Sequence, residues 1–150
     1  MRKNQRGVAI TEFALVLPLL LFLSLITIDY GRALYQYNVL TKSVRDAVRY
    51  LSMQSPGSGA SVAKSLVVYG NPSGSGSPLA LGLSVDKVPD PVWQLRGSGP
   101  VINTVTVRIA GCATSAPPCY SFTPLFASAF GVAFGTVNYS DISATMRAPL

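Results

Sequence analysis

The feature that most constrains this chain is a long apolar segment near its N-terminus, QRGVAITEFALVLPLLLFLSLITIDYGR at residues 5–32. As an α-helix, residues 8–28 would be about 30 Å long, which matches the hydrocarbon core of a bilayer and predicts one transmembrane helix. Glu12 stands inside this segment. Because an ionised carboxylate costs roughly 2.5 kcal/mol or more at mid-bilayer, and less toward the interface, its presence there usually marks a function.

The charges around the segment predict its orientation. Arg2, Lys3 and Arg6 precede it, and the positive-inside rule therefore places the N-terminus in the cytoplasm and the rest of the chain across the membrane. A cleavable secretory signal would have a shorter apolar core and a small-x-small cleavage site. The sequence SLITIDYGRALYQ offers no convincing site of that kind, which favours an anchor.

Beyond Asp29 the pattern becomes amphipathic. Apolar residues recur at steps of three or four, at Leu34, Tyr37, Leu40, Val44, Ala47, Val48 and Leu51. We therefore expect one helix from Val8 to Met53, ending before SPGSG. Pro18 removes a backbone hydrogen bond inside this helix, and a functional bend and a tolerated kink are equally open there.

Residues 55–150 predict a small α+β head. SVAKSLVVY indicates a short helix stopped by Gly70, in preference to a strand through SLVVY, and LALGLSVDKV predicts a strand at residues 83–88. The clearest strand is VINTVTVRIA. Val101, Val105, Val107 and Ile109 share one face, with Asn103 among them, and Thr104, Thr106 and Arg108 share the other. YSF is expected to continue a hairpin with it, and PLFASAF to form a surface turn or a short helix.

The last strand is predicted in GTVNYSDISATMRA. Its apolar residues change phase between Tyr139 and Ile142, which indicates a bulge near Ser140 or Asp141. An antiparallel sheet packed on the second half of the long helix would cover the apolar faces of both elements. The expected fold class is therefore α+β.

Two cysteines, Cys112 and Cys119, flank ATSAPP between two strand-like sequences. In an oxidising compartment across the membrane they would form one disulfide, which is favoured over two free thiols. A metal site lacks ligands, because the chain has no histidine and no further cysteine.

The same lack of histidine excludes the usual activation of a serine or cysteine nucleophile. The glycine-rich loops do not join a strand to a helix as a phosphate-binding loop does. Of the net charge of +6, half comes from the three basic residues before the apolar segment, and the rest is scattered, which argues against nucleic-acid binding. We expect no enzyme, no cofactor and no nucleic-acid partner.

The N-terminal residues resemble a known family. The basic leader MRKNQRG, the glutamate five residues after its glycine and the aromatic Phe13 are similar to the signal of type IV pilins. RGVAITEFALVLPLLLFLSLITIDYGRALYQYNVLTKSVRDAVRYLS resembles more closely the TadE-like pseudopilins of tight-adherence (Flp) pilus systems. ISATMRA is similar to the closing strand of that family, whereas CATSAPPC looks like an insertion. The resemblance implies a pilin-like fold in which a long helix packs on a small antiparallel sheet.

This resemblance also implies roles for particular residues. A prepilin peptidase would cut between Gly7 and Val8 on the cytoplasmic face, and Glu12, with Phe13 beside it, would pair with the new amino group of Val8 on a neighbouring subunit. At about 4 Å and an effective dielectric near 20, that attraction is on the order of 4 kcal/mol before desolvation. The alternative is that Glu12 reaches back to the cytoplasmic headgroups.

The implied organisation has four parts: a leader at 1–7, a transmembrane helix at 8–28, its amphipathic continuation at 29–54 and an extracytoplasmic head at 55–150. The expected partners are the inner membrane, the prepilin peptidase, other pilins and pseudopilins, and the assembly platform in the inner membrane. Two other interpretations stay open. One is a static single-pass protein with a binding head, and the other is a secreted carrier released by ordinary signal peptidase.

Overall fold

The computed structural model describes residues 5–125 and 135–148, with side chains from residue 7 onward. Its elements, in chain order, are α1 (Gln5–Leu51), α2 (Ala60–Tyr69), a 3-10 turn (Val85–Lys87), β1 (Val92–Arg96), β2 (Ile102–Ile109), β3 (Ser121–Phe122), β4 (Val137–Asn138) and β5 (Ile142–Arg147). The fold is α+β, with a long N-terminal helix and a small antiparallel sheet, as predicted. Most of the predicted leader, at 1–4, and most of PLFASAF, at 126–130, lie outside the described residues.

α1 is a single helix of 47 residues that continues through Pro18 and Gly31. It begins at Gln5 rather than Val8 and ends at Leu51 rather than Met53. Arg49 lies in its last turn, where a positive charge stabilises the carbonyl end of a helix. The bend predicted at Pro18 stays a prediction.

α2 packs beside the second half of α1 and ends where its sequence predicts. Gly70 takes φ +72°, a left-handed conformation that glycine adopts without strain, and its N–H donates to the carbonyl of Leu66 at 3.0 Å. Ala63, Val67 and Val68 of α2 are buried. The preference for a helix over a strand in this segment is confirmed.

The larger sheet has the order β1-β2-β5, with both pairs antiparallel, so that β2 is central. Asn103, Val105, Val107 and Ile109 alternate on its buried face, as predicted. Val101, predicted on the same face, is 49% exposed because the strand begins after it, at Ile102. This face packs on α1, whose contribution to the core begins at Leu40 and continues through Val44, Ala47, Val48 and Leu51. The predicted stripe was wrong at its start, because the side chains of Leu34 and Tyr37 are 53% and 43% exposed.

Two predictions about strands were wrong. Residues 83–88 form a loop with a 3-10 turn instead of a strand; Leu83 and Val88 are buried at its ends, and Lys87 Nζ donates to the Gly82 carbonyl at 2.6 Å. The strand follows later as β1, which the sequence analysis did not identify. The apolar residues of this segment are therefore buried by a loop, at its two ends, and not by a strand.

The end of the chain is divided between two sheets. β3 does not continue a hairpin with β2 but pairs with β4 in a second sheet, Phe122 opposite Val137. The phase change predicted as a bulge is a complete break between β4 and β5. The physical reason is that the residues between the two strands bond to the disulfide loop: the Tyr139 carbonyl accepts from the Ala113 N–H at 2.9 Å, and the Asp141 N–H donates to Thr114 Oγ1 at 3.0 Å. This backbone passes so close to Gly111 that a Cβ there would collide with it.

Candidate functional site in the uncovered half of the long helix

The N-terminal half of α1 projects from the rest of the molecule. Between residues 7 and 28 no described side chain is buried, although most are large and apolar. The exposed ones are Val8, Ile10, Phe13, Leu15, Val16, Leu17, Leu19, Leu20, Leu21, Leu23, Ile26 and Ile28. The helix is long and apolar enough to cross a membrane, and no residue of its most apolar stretch is buried in the part of the chain that the structure describes. A surface of this kind needs lipid or other helices around it.

The hydroxyl groups in this half are satisfied within the helix itself. Each donates at 2.8 Å to a carbonyl of the preceding turn: Thr11 to Val8, Ser24 to Leu20 and Thr27 to Leu23. Hydrocarbon offers no hydrogen-bond partners, so internal pairing is what a lipid-facing helix requires. These polar residues are therefore compatible with a membrane.

Glu12 differs from these hydroxyls. Its side chain is exposed, and among the described residues none forms an ion pair with it. Glu12 lies one turn beyond Val8, on the same face of α1, since residues four apart are neighbours on a helix. Phe13 beside it is also exposed. The carboxylate is thus accessible to a group outside this chain.

Gly7 and Val8 lie in the early turns of α1, on the same uncovered surface. A Cβ built on Gly7 would meet no atom within 4 Å. The fold therefore has no steric reason for a glycine at this position.

The head meets the helix just where the apolar half ends. Asp29 is only 7% exposed, and its Oδ1 accepts from Arg32 Nη1 at 2.9 Å and from the backbone N–H of Leu125 at 3.2 Å. The Arg32 guanidinium also lies over the Phe122 ring, 5.7 Å from its centroid. In the sequence Asp29 marks only the end of the apolar run, because its partner Leu125 is far away in the chain.

Two tyrosines of the head contact α1 farther toward its C-terminus. Tyr120 Oη donates to Gln36 Oε1 at 3.0 Å, and Tyr139 Oη donates to the Ala33 carbonyl at 2.9 Å. The two rings stack with centroids 5.9 Å apart. Burial, with the neighbouring Tyr139, raises the pKa of Tyr120 to about 12, and burial also raises the pKa of Tyr139. Both phenols therefore keep the protons that they donate to the helix.

The predicted disulfide between Cys112 and Cys119 is present, and it closes a short loop after β2. The loop is held by Asp141, whose Oδ1 accepts from the Gly111 N–H, Thr114 Oγ1 and Ser115 Oγ at 2.7–3.0 Å. Its Oδ2 accepts from Arg108 Nη1 at 2.6 Å. Burial tends to raise the pKa of Asp141, but these hydrogen bonds, led by that of Thr114, outweigh it and hold the pKa well below its usual range.

The predicted residues thus fall into two separate groups. Gly7, Val8, Glu12, Phe13 and Pro18 share the uncovered helix. The disulfide belongs to the head: Tyr120, next to Cys119, contacts Gln36, about 36 Å along the helix from Glu12 at 1.5 Å per residue.

Comparison with known proteins decides what this helix resembles. Residues 7–49 match the family model described as TadE-like protein. Over this segment the chain is similar to TadE-like proteins. The match covers nearly all of α1 and ends before the head begins, and no curated protein and no solved structure matches the chain.

The match confirms the family resemblance over this helix. Among the residues that the structure describes, one helix could span a membrane, which fits a single-pass membrane protein.

Proposed function

We propose that the chain is a minor pilin-like subunit, a pseudopilin, which a prepilin peptidase cuts between Gly7 and Val8 and which then acts in assembly of tight-adherence pili and in surface adhesion. The observation that carries this proposal is the uncovered apolar half of a TadE-like helix, with Gly7, Val8 and Glu12 all on its accessible surface. The role is structural and requires no catalysis and no cofactor. The helix is held in the inner membrane with the head on the outer side.

Cleavage at this point is compatible with the fold. A peptidase binds an extended backbone, so the first turns of α1 must unwind before the cut. Glycine lowers helix stability by about 1 kcal/mol relative to alanine, which makes unwinding easier around Gly7. No described side chain of the head packs on this part of the helix, so the leader can leave without disturbing the core.

The cut creates an amino group at Val8, which is largely protonated at neutral pH. Glu12, which no described residue of its own chain pairs with, is then available to the amine of a neighbouring subunit. Pairing with that amine would offset much of the cost of placing the carboxylate close to hydrocarbon. This pairing would select partners and register as the subunit joins a helical stack.

The test is the intact mass and N-terminal sequence of the full chain, extracted from membranes with and without an active prepilin peptidase. We expect a mature N-terminus at Val8 only when the peptidase is active, and a strong loss of cleavage in Gly7→Ala. Gly31→Ala is the matched control, because a Cβ on either glycine meets no atom within 4 Å and neither change should disturb the fold. A chain that keeps its basic leader despite active peptidase would instead support a static membrane anchor.

A further inference from the structure

The second sheet runs down the helix toward its apolar half. Three successive contacts trace this descent: Tyr120 with Gln36, Phe122 with Arg32, and Leu125 with Asp29. Each step along the strand and the turn after it thus meets α1 closer to its N-terminus. Leu125 lies at the level of Asp29 on the helix axis, since its backbone N–H is 3.2 Å from the Asp29 carboxylate.

The level of Asp29 can be related to a membrane. Residues 8–28 make about 30 Å of helix, and this is the thickness of the hydrocarbon core. When they span it, Asp29 stands at its outer boundary, in the headgroup layer. Leu125 must then stand at the same boundary, because the two residues are hydrogen-bonded.

The side chains at this level suit a lipid interface. Tyr30 is 68% exposed, Leu125 is 51% exposed and Val137, which pairs with Phe122, is 46% exposed. Asp29, by contrast, is only 7% exposed and is paired with Arg32. We call the exposed side chains of Tyr30, Leu125 and Val137 the foot of the head. The foot presents apolar and aromatic groups while the adjacent carboxylate is covered.

We propose that the foot lies in the headgroup layer of the outer leaflet, so that the head rests on the lipid surface in addition to being anchored by its helix. The proposal rests on the proposed function, in that residues 8–28 must span the bilayer. Once they do, lipid surrounds the level of Asp29 in every single molecule, without a second copy being needed. Tyrosine is enriched at this interface because one end of its ring is apolar and the other is polar.

Depth-dependent fluorescence quenching tests this directly. The chain has one tryptophan, Trp93, so the full-length Trp93→Phe variant is a background for single reporters. Reporters are placed by Leu125→Trp at the foot, by Leu20→Trp inside the span and by Met53→Trp. Met53 is the matched control, since it is 70% exposed and follows α1 about 36 Å beyond Asp29 at 1.5 Å per residue. Each variant is reconstituted in phosphatidylcholine vesicles whose acyl chains carry no bromine, bromine near the headgroup or bromine deeper in the chain.

We expect the fluorescence of Leu125→Trp to fall about twofold in vesicles brominated near the headgroup. Bromine quenches a tryptophan that lies at its own depth in the membrane, and the interface is where aromatic residues are enriched. Met53→Trp should not change, and Leu20→Trp should be quenched by bromine placed deeper in the chains. If the Trp93→Phe background unfolds, the same comparison is made with Trp93 retained, since its contribution is common to all three reporters.

The outcomes separate this proposal from the function on which it rests. Quenching at residue 20 without quenching at residue 125 overturns the foot and leaves the spanning helix intact. No quenching at residue 20 overturns both. A third outcome is a blue-shifted emission from Leu125→Trp that depends on protein density and does not respond to brominated lipid. It would show that a second copy covers the foot, which also overturns the proposal.

Discussion

The two halves of α1 have the same secondary structure and opposite surroundings. From residue 7 to residue 28 no described side chain is buried, whereas the second half contributes five residues to the core: Leu40, Val44, Ala47, Val48 and Leu51. The apolar side chains of the second half are buried by the same chain, by α2 and the larger sheet. No described residue buries a side chain of the first half in this way. Changes in the two halves should therefore have different consequences, one for folding and one for membrane insertion and assembly.

The largest effect is expected from a substitution in the second half of α1, which is packed in the core. Leu40→Ala should lower the free energy of unfolding of the head by about 2 to 5 kcal/mol, because it leaves a cavity at a fully buried position. Leu20→Ala, the same substitution at an exposed position of the first half, should leave that free energy unchanged. Urea unfolding followed by Trp93 fluorescence measures both variants in detergent. Equal losses for the two would show that the apolar half also packs on the head.

The next effect is specific to the uncovered half. Glu12→Ala should reduce incorporation into filaments about tenfold or more, which corresponds to about 1.4 kcal/mol or more. The unfolding of the head should not change, since Glu12 contacts no core residue. The measurement is the ratio of filament-associated to membrane protein by immunoblot, with Thr11→Val as the neighbouring control. The inter-subunit role would be wrong if Glu12→Ala were cleaved and incorporated at the normal level.

Long periodic segments could be predicted from the sequence, and contacts between distant segments could not. The periodicity of 3.6 in α1 and of 2 in β2, the stop at Gly70 and the disulfide were all identified correctly, because each depends on neighbouring residues. β1 was missed because four of its five side chains are exposed and no alternation marks it. The strand at 83–88 was wrong because a loop can bury two ends of an apolar stretch equally well.

The same distinction between local pattern and distant contact applies to the candidate site. Gly7 and Glu12 were singled out by the pattern of the first turns, although the roles that we propose for them depend on partners outside the chain. The covered state of Asp29 had no local signal, because the group that covers it is Leu125. The same holds for Asp141, whose partners belong to β2 and to the loop that follows it. The hydrogen bonds of a carboxylate to partners distant in sequence can therefore be identified only from the structure.

Acid should weaken the head through Asp141. The folded pKa of Asp141 is below its unfolded value of about 3.8, so the stability it contributes is present above pH 4 and is lost as the pH falls below that value. Asp141→Asn should be less stable than the parent chain by about 1 to 2 kcal/mol at pH 6, and the difference should shrink toward pH 3. Urea unfolding at both pH values measures this. Asp90→Asn is the control, since its carboxylate is 84% exposed and its ion pair with Lys64 contributes little. A constant difference at both pH values would contradict the assignment.

The smallest effect concerns the boundary between the two halves. Gly31 lies inside α1, and a Cβ built on it meets no atom within 4 Å, so Gly31→Ala should stabilise the helix by no more than about 1 kcal/mol. Gly70→Ala should have the opposite sign, because φ is +72° and Leu79 Cδ2 lies 3.3 Å from the added atom. Both are measured by the same unfolding assay. A Gly31→Ala chain that folds more stably yet enters filaments poorly would show that the glycine serves a neighbouring subunit, and the uncovered surface of α1 would then extend past Asp29. Normal incorporation would place the end of that surface at Asp29, where the head begins to cover the helix.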